Sequence, residues 1–210
     1  MAGKEPSHEV MAEARCLEFS RNGVSREARV VCTEEIVVIA LNGRPVATQV
    51  ATPTELRELG AGFIVSQGLA RSVDSVRVEG LTVDVKASKE LASSPTFVES
   101  SGGPASGTLL RRVESDLSIT PDDIFTVIGA IVSDLWEKTG GAHCSVLFSE
   151  GRILAKSSDV GRHNTVDKVI GHAVLSGVDL SRCVLGCTGR QPLGMITKAA
   201  NAGIPIVVSK

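Results

Sequence analysis

Residues 158–173 read SDVGRHNTVDKVIGHA, and this stretch decides how the C-terminal half of the chain folds. Its apolar residues, among them Val166 and Ile170, recur at the spacing of one helix face. The ionisable residues crowd the turn that enters this helix, where Gly161 permits a close backbone approach and Asn164 is a candidate N-cap. Unpaired N–H groups at a helix start, beside arginine and histidine, favour anion binding. A capped helix with a few surface ion pairs is the alternative interpretation.

Regular helix and strand patterns surround this helix throughout the C-terminal half. In chain order, they predict a helix opened by Thr120 and ended by Gly140, strands over 144–149 and 152–156, the central helix to about Ser176, a buried strand over 183–187, a helix from Pro192 and a strand over 204–208. Strands that alternate with helices predict a sheet covered by helices on both faces. Ligands of such sheets collect beyond the carboxyl ends of the strands. Arg162, His163 and Arg190 would therefore face one shared pocket, provided that the strands before them are neighbours.

The N-terminal half is predicted to be a smaller unit. Residues 1–28 are weakly patterned and read as a poorly ordered arm or an early edge strand. Residues 29–85 predict a small, mixed β domain with one helix, which the capping-box motif TPTE at 52–55 would open. Residues 86–117 are rich in Ser, Gly, Pro and Ala, as in a mobile loop or a plain linker. Residues 118–210 form the predicted α/β domain, so that the whole chain is expected to be α+β.

Composition excludes several classes of function. The 210 residues are 42% hydrophobic and 22% charged, with a net charge of −2, so nothing electrostatic favours nucleic acid as a partner. The N-terminus lacks the apolar segment of a secretory signal, and no apolar run approaches the length of a membrane span. Five cysteines, an odd number, fit a reducing cytoplasm better than a disulfide framework.

The order of elements in the C-terminal half resembles the cytidine deaminase fold, whose zinc ligands occupy the same two helix starts. That family needs H-x-E on the first and P-C-x-x-C on the second. This chain has RHNTVD and CTGRQP there, which leaves fewer than the three protein ligands of a catalytic zinc. We therefore expect a deaminase-like α/β/α domain without zinc.

Two cysteines are candidate nucleophiles. Cys187 is predicted at a strand end beside glycine and arginine, where it is either a pocket thiol with a lowered pKa or a small apolar core residue. Cys144 follows His143, but adjacent strand residues point to opposite faces and would not pair. Cys183 and Cys187 would lie about 13 Å apart on one strand, too far for a disulfide.

Anion binding is the third chemistry that the residues offer. Arg162 and Arg190 stand at glycine-bearing helix starts, where they could grip phosphate, with Lys168 and Lys198 as weaker candidates. The competing role of the two arginines is to pair with Asp159 and Asp167 and so fix the turns.

The chain as a whole resembles the formate dehydrogenase accessory sulfurtransferase family, FdhD/NarQ. The matching segments, in order, are LNGRPVATQVATPTELRELGAGFIVSQG, TGGAHCSVLF, DVGRHNTVDKVIGHAVLSG and TGRQPLGMITKAANAGIPIVVS, which together span Leu41 to Ser209. The resemblance implies a cytoplasmic homodimer that takes sulfur from a cysteine desulfurase as a persulfide. The sulfur passes to the molybdenum cofactor destined for formate dehydrogenase.

The resemblance also implies a ligand and the residues that bind it. The expected ligand is the bis-molybdopterin guanine dinucleotide form of the cofactor, or a guanine nucleotide. The implied cofactor-binding residues are His143, Asp159, Gly161, Arg162, His163, Asn164, Asp167, Lys168, Gly189 and Arg190.

One departure from the family is decisive for the chemistry. The family carries its persulfide on a C-x-x-C pair in a mobile loop, and Gly102 and Ala105 occupy those positions here. Three interpretations remain open. The carrier thiol has moved to Cys187 or Cys144; or the chain binds cofactor without moving sulfur; or it serves only a structural or partner-binding role.

Overall fold

The computed structural model describes residues 9–89, 91 and 112–210. The strands are β1 (Met11–Ser20), β2 (Gly23–Cys32), β3 (Glu35–Leu41), β4 (Arg44–Ala51), β5 (Ser75–Glu79), β6 (Thr82–Lys86), β7 (His143–Ser149), β8 (Arg152–Asp159), β9 (Val184–Cys187) and β10 (Ile206–Ser209). The helices are α1 (Leu56–Ser66), α2 (Pro121–Ala130), α3 (Asp134–Thr139), α4 (Arg162–Ser176) and α5 (Leu193–Ala202). Within that part of the chain, no helix is long and apolar enough to cross a membrane.

The strands form three sheets. β1 and β2 make a two-stranded ribbon, β4-β3-β6-β5 make the N-terminal sheet and β10-β9-β7-β8 make the C-terminal sheet. The C-terminal sheet is mixed, because β9 and β10 are parallel while β7 runs antiparallel to both of its neighbours. α2 packs on one face of this sheet, where Val127 and Ile131 contact Val146, and α4 and α5 pack on the other. The predicted mixed α/β architecture is confirmed.

Helices α1 and α4 join the two halves of the molecule. They approach closely because each presents a glycine. A Cβ atom added at Gly62 would lie 1.7 Å from the carbonyl oxygen of Asp167, and one added at Gly171 would lie 1.9 Å from that of Glu58. α1 packs its other residues, including Phe63, against the N-terminal sheet, while Val65 belongs to the C-terminal core. α1 is therefore shared between the two cores.

The predicted capping box at 52–55 is wrong. Helix α1 begins at Leu56, and its N-cap, Glu55, has a left-handed φ of 53° and no capping side chain. The motif's side chains bond across the molecule instead. Thr52 Oγ1 accepts a hydrogen bond from the Val160 N–H at 3.2 Å, and Glu55 Oε1 contacts His172 Nε2 at 2.7 Å. Contacts between the two halves override the local cap.

The long helix predicted after Thr120 is two helices. Thr120 does cap α2 through a reciprocal box with Asp123, as predicted. The chain then turns at 131–133, where Lys156 Nζ donates to the Val132 carbonyl at 2.6 Å and Ser133 caps α3. The side chains of Lys156 and Ser133 thus satisfy the Val132 carbonyl and the Trp136 N–H, the two groups that would bond to each other in one continuous helix.

The ribbon occupies the place of the predicted arm. Each of its strands is ten residues long, with Phe19 opposite Val24 beside the turn. The ribbon joins the body of the molecule at its base, where Cys32 Sγ lies 3.0 Å from Thr139 Oγ1 of α3. Nearly all of its side chains are exposed on both faces. These strands therefore lack the alternation of buried apolar and exposed polar residues by which a strand is recognised in a sequence.

Candidate functional site

The turn that enters α4 is built around Asp159. Gly161, not Asn164, is the N-cap of α4, and no side chain caps this helix start. The Gly161 N–H and Asn164 Nδ2 both donate to Asp159 Oδ1, at 2.8 and 2.9 Å, and Asn164 Nδ2 also donates to the Val50 carbonyl. A Cβ atom at Gly161 would lie 2.7 Å from Asn164 Nδ2. Glycine is therefore required for the turn to close on the amide.

Asp159 and Lys168 form a fully buried ion pair. Lys168 Nζ lies 2.6 Å from Asp159 Oδ2, and both side chains are 0% exposed. Lys168 Nζ also donates to the Thr52 carbonyl, and the Thr52 N–H donates to Asp159. These two predicted cofactor-binding residues hold the end of β4 against α4.

Asp167 and Lys198 form a second buried pair, beneath the same turn. Lys198 Nζ lies 2.6 and 2.7 Å from the two carboxylate oxygens of Asp167, and Ser66 Oγ donates to Asp167 at 2.5 Å. Burial raises the pKa of Asp167 and lowers that of Lys198, because the loss of water disfavours the charged form of each group, and the opposite charge of the partner offsets this cost. The pair links α1, α4 and α5.

The sequence allowed a competing role for Arg162 and Arg190, which was to pair with Asp159 and Asp167. That alternative is wrong, because both carboxylates are paired with lysines. Within the described ranges, neither Arg162 nor Arg190 has a carboxylate within 4 Å. Arg162, in the first turn of α4, therefore has no carboxylate partner in the part of the chain that the structure describes.

His163 is the residue that most directly indicates a ligand. Its side chain is only 5% exposed, and Nε2 has no hydrogen-bond partner among the described residues. It lies against the first turn of α5, because a Cβ atom added at Gly194 would be 3.4 Å from Nε2. Burial, together with the charges of Lys198 and Arg162, lowers the pKa of His163 to about 4. A buried polar nitrogen without a partner requires one.

His143 and Gly189 extend this group of residues. His143 begins β7, and burial together with Arg162 lowers its pKa. Its Nδ1 lies 3.1 Å from Thr188 Oγ1, and a Cβ atom at Gly189 would be 3.6 Å from Cε1. The charge of Arg162 thus lowers the pKa of both His163 and His143. We call these three residues the cationic cluster.

The condition for the predicted pocket shared by Arg162, His163 and Arg190 is not met. The strands before the two turns, β8 and β9, are not neighbours, because β7 lies between them. The turns converge through the helices instead, since α4 and α5 lie side by side on one face. Arg190 is exposed and makes no described contact with the cationic cluster.

A cavity of about 460 Å³ adjoins the cationic cluster at His143. It lies between the α2–α3 connection, the start of β7 and the end of β9. Its lining residues are Ile131, Val132, Trp136, Gly140, Gly141, Ala142, His143, Cys144, Thr188, Gly189 and Lys210. Mostly apolar walls with a few polar groups at one end are typical of a small-molecule site.

The two candidate thiols are deeply buried. Cys144 and Cys187 are each 1% exposed, and burial raises the pKa of Cys144 and raises that of Cys187 to about 11. The lowered pKa considered for Cys187 is therefore wrong, because desolvation dominates at this strand end. All five cysteines are free, as predicted, and Cys183 belongs to the core. The loop positions Gly102 and Ala105 lie outside the described residues.

The difference in burial between Cys16 and the two candidate thiols predicts a difference in their reactivity. At neutral pH, iodoacetamide is expected to modify exposed Cys16 to completion while Cys144 and Cys187 stay unmodified, because alkylation needs an accessible thiolate. Peptide mapping by mass spectrometry measures all three sites in one sample, with Cys16 as the internal control. Rapid modification of Cys144 or Cys187 in the folded protein would contradict this assignment.

Sequence reasoning missed the polar contacts that assemble this site. Ser66, Ser157 and Thr188 bond to residues far away in the chain, and single hydroxyl residues carry no local signal for such partners. The contact between Glu55 and His172 was missed for another reason. Glu55 fits the capping-box pattern, which predicts a local role for its side chain. Their hydrogen bond raises the pKa of His172.

Comparison with known proteins identifies relatives of this chain. The sulfur carrier protein FdhD of Methanothermobacter thermautotrophicus is 32% identical over 187 residues, which cover 82% of this chain and 73% of that protein. The Thermoplasma acidophilum protein of the same name is 32% identical over an alignment that covers all of this chain and 86% of the relative. Residues 32–210 match the sequence profile of the FdhD/NarQ family. The chain belongs to the FdhD/NarQ family.

The fold of this FdhD/NarQ member also matches a solved structure. A crystal structure described as a formate dehydrogenase accessory protein, from Desulfotalea psychrophila, superposes with a TM-score of 0.79 at 25% identity. The match covers 96% of this chain and 84% of the other. The ribbon begins before the family match, which starts at residue 32.

Proposed function

We propose that this FdhD/NarQ member is an accessory protein for formate dehydrogenase that binds a phosphate-bearing cofactor at the cationic cluster. One observation carries the proposal: His163 Nε2 is buried, has no described partner and lies against the first turn of α5. The names of the relatives, sulfur carrier protein and formate dehydrogenase accessory protein, support the general role.

Phosphate is the ligand that suits these groups best. A neutral histidine can donate from Nε2, Arg162 offers a guanidinium with no carboxylate partner among the described residues, and two helix starts without side-chain caps offer N–H groups. Charged donors and helix starts both favour anions. Burial also strengthens each interaction, because little water competes for the donors.

The molybdenum cofactor in its guanine dinucleotide form fits this donor set through its pyrophosphate. Arg162, His163 and the α4 start would hold the phosphates, and His143 stands where the cluster meets the 460 Å³ cavity. When bound, the cofactor would supply the metal centre that receives sulfur. The role of the chain's own residues is then to bind, orient and shield the group. We place this activity in the cytoplasm.

Thermal unfolding with a guanine nucleotide tests the proposal. A ligand at about 100 times its Kd adds about 2.7 kcal/mol, which in a chain of this size raises Tm by roughly 5 to 10 °C. Arg162→Ala is expected to remove most of the rise. Arg152→Ala is the matched control, because Arg152 is exposed on β8 far along the strand from the turn. An unchanged Tm at millimolar nucleotide would overturn the proposal.

Sulfur transfer is the second candidate function, and one observation favours it. Cys144 lines the cavity beside His143, where a persulfide would face a bound cofactor. The burial of the Cys144 thiol and its raised pKa argue against sulfur transfer, because the attack on the donor's persulfide needs a thiolate. Incubation with a cysteine desulfurase and cysteine, followed by intact mass and peptide mapping, separates the candidates. Persulfide on Cys144 supports transfer, and its absence there and on Cys187 supports cofactor binding alone.

A further inference from the structure

Helix α3 and its two connections form the outer wall of the 460 Å³ cavity. Val132 and Trp136 line the cavity from this side. Gly140 and Gly141, which follow the helix, complete the same wall. The opposite wall belongs to the C-terminal sheet, at the start of β7 and the end of β9. Access to the cavity therefore depends on where α3 lies.

α3 is weakly attached to the body of the protein. None of its six residues is buried, whereas Ile131 and Ala142, on either side of the segment, are buried. Among the described elements, the main contact of α3 is with β2, a strand of the ribbon that is itself exposed on both faces. A segment with few buried apolar contacts can open locally while the rest of the protein stays folded.

Both ends of α3 have the backbone of a hinge. Gly140 has a left-handed φ of 65°, and a Cβ atom added there would meet nothing within 4 Å. Gly141 follows it, so two adjacent residues lack the side chain that restricts backbone rotation. At the other end, residues 131–133 leave the helical path between α2 and α3. Changes in φ and ψ at these two places would swing α3 as one unit.

Two side-chain contacts hold α3 in place. Lys156 Nζ of β8 donates to the Val132 carbonyl at 2.6 Å, and this lysine is exposed. At the far end of the helix, Cys32 Sγ of β2 lies 3.0 Å from Thr139 Oγ1. The first contact fastens the segment to the sheet, and the second joins it to the ribbon. A hydrogen bond exposed to water exchanges readily for one to water, so Lys156 fastens α3 reversibly.

We propose that α3 is a hinged lid on the cavity, fastened to the C-terminal sheet by Lys156 and joined to the ribbon at Thr139. The open lid admits a ligand to the cavity, and the closed lid brings Trp136 against it. The inference rests on the proposed function, because it concerns access to the cavity that adjoins the cationic cluster.

Cys144 reports the position of the lid without any ligand. Its side chain lines the cavity and is 1% exposed. Cys187 is equally buried, but it belongs to the core beneath α4 and α5, on the other face of the sheet. Opening of the lid therefore exposes Cys144 alone, whereas unfolding of the domain exposes both thiols.

Alkylation of the full chain by iodoacetamide at about pH 8.5, followed by peptide mapping over several hours, measures this exposure. Lys156→Met is expected to raise the rate at Cys144 by about tenfold or more and to leave Cys187 at its wild-type rate, because only an accessible thiolate reacts. Burial raises the pKa of Cys144, and the charge of Lys156 acts in the opposite direction. Loss of that charge would by itself slow the reaction, so a faster reaction reports exposure.

Two control variants isolate the contact that Lys156 makes. Lys156→Arg keeps a donor for the Val132 carbonyl and should react as the wild type does. Lys138→Met removes the same charge from α3 itself, where Lys138 is exposed and has no hydrogen-bond or ion-pair partner among the described residues. It should leave the rate at Cys144 unchanged.

Two results would overturn the proposal. One is a Lys156→Met protein whose Cys144 reacts as slowly as in the wild type. The other is an equal acceleration of Cys187, which would show that the whole domain has opened. No nucleotide is present in these reactions, so failure of the lid leaves a nucleotide-induced rise in Tm intact. Absence of that rise would in turn leave the alkylation result intact.

Discussion

Replacing Lys198 with methionine is expected to lower the free energy of unfolding by about 3 to 5 kcal/mol. The substitution keeps the length of the side chain but leaves the carboxylate of Asp167 buried without its cation, where Ser66 is the one side chain among the described residues that still donates to it. Urea unfolding at neutral pH measures the change. In a chain of this size, Tm should fall on the order of 10 °C.

The matched control removes both charges. Lys198→Met combined with Asp167→Asn should recover at least half of the lost stability, because no unpaired charge remains buried. The single variant should also regain stability as the pH falls, since its folded state holds a proton on Asp167 more tightly than the unfolded chain does. A single substitution that costs less than about 1 kcal/mol would show that the pair is not buried as described.

Gly171→Ala is expected to destabilise the protein by about 3 kcal/mol, the upper end of the usual cost of overpacking. The added Cβ atom would lie 1.9 Å from the backbone carbonyl of Glu58. A flexible side chain could move aside, but here α1 and α4 must separate along their whole contact. Chemical unfolding measures the cost.

Gly129→Ala provides the control for this variant. Gly129 lies in α2, and a Cβ atom there meets nothing within 4 Å. The same substitution should therefore stabilise the protein slightly, by up to about 1 kcal/mol, because alanine favours helix more than glycine does. Equal effects at the two glycines would contradict the close approach of α1 and α4.

Elements with strong local signals could be predicted from the sequence. Helix α4 runs to Ser176 and ends at Gly177, whose φ of 69° is the left-handed value that glycine favours. The β7–β8 turn at Glu150 and Gly151 and the Thr120 cap follow from residue type in the same way. Each of these features depends on neighbours in the sequence.

Features that depend on distant contacts could not be predicted. The motif at 52–55 has the residues of a capping box, but the other half of the molecule offers Thr52 and Glu55 better partners. The same holds for the candidate site. Glycines and charged residues at helix starts indicated an anion site. The sequence could not show that Asp159 and Asp167 pair with lysines and not with Arg162, because this depends on which distant residues lie side by side in the fold.

Titration of the histidine side chains by NMR, with and without GDP, tests the central claim most directly. In the free protein, His163 is expected to stay neutral down to a pH near 4, whereas the hydrogen bond to Glu55 keeps the pKa of His172 above its ordinary value. Saturating GDP should move the pKa of His163 up towards 6.5 or beyond, because a phosphate beside Nε2 favours the protonated ring, and should leave His172 unchanged. A His163 titration that is the same with and without the nucleotide would contradict the proposed phosphate site.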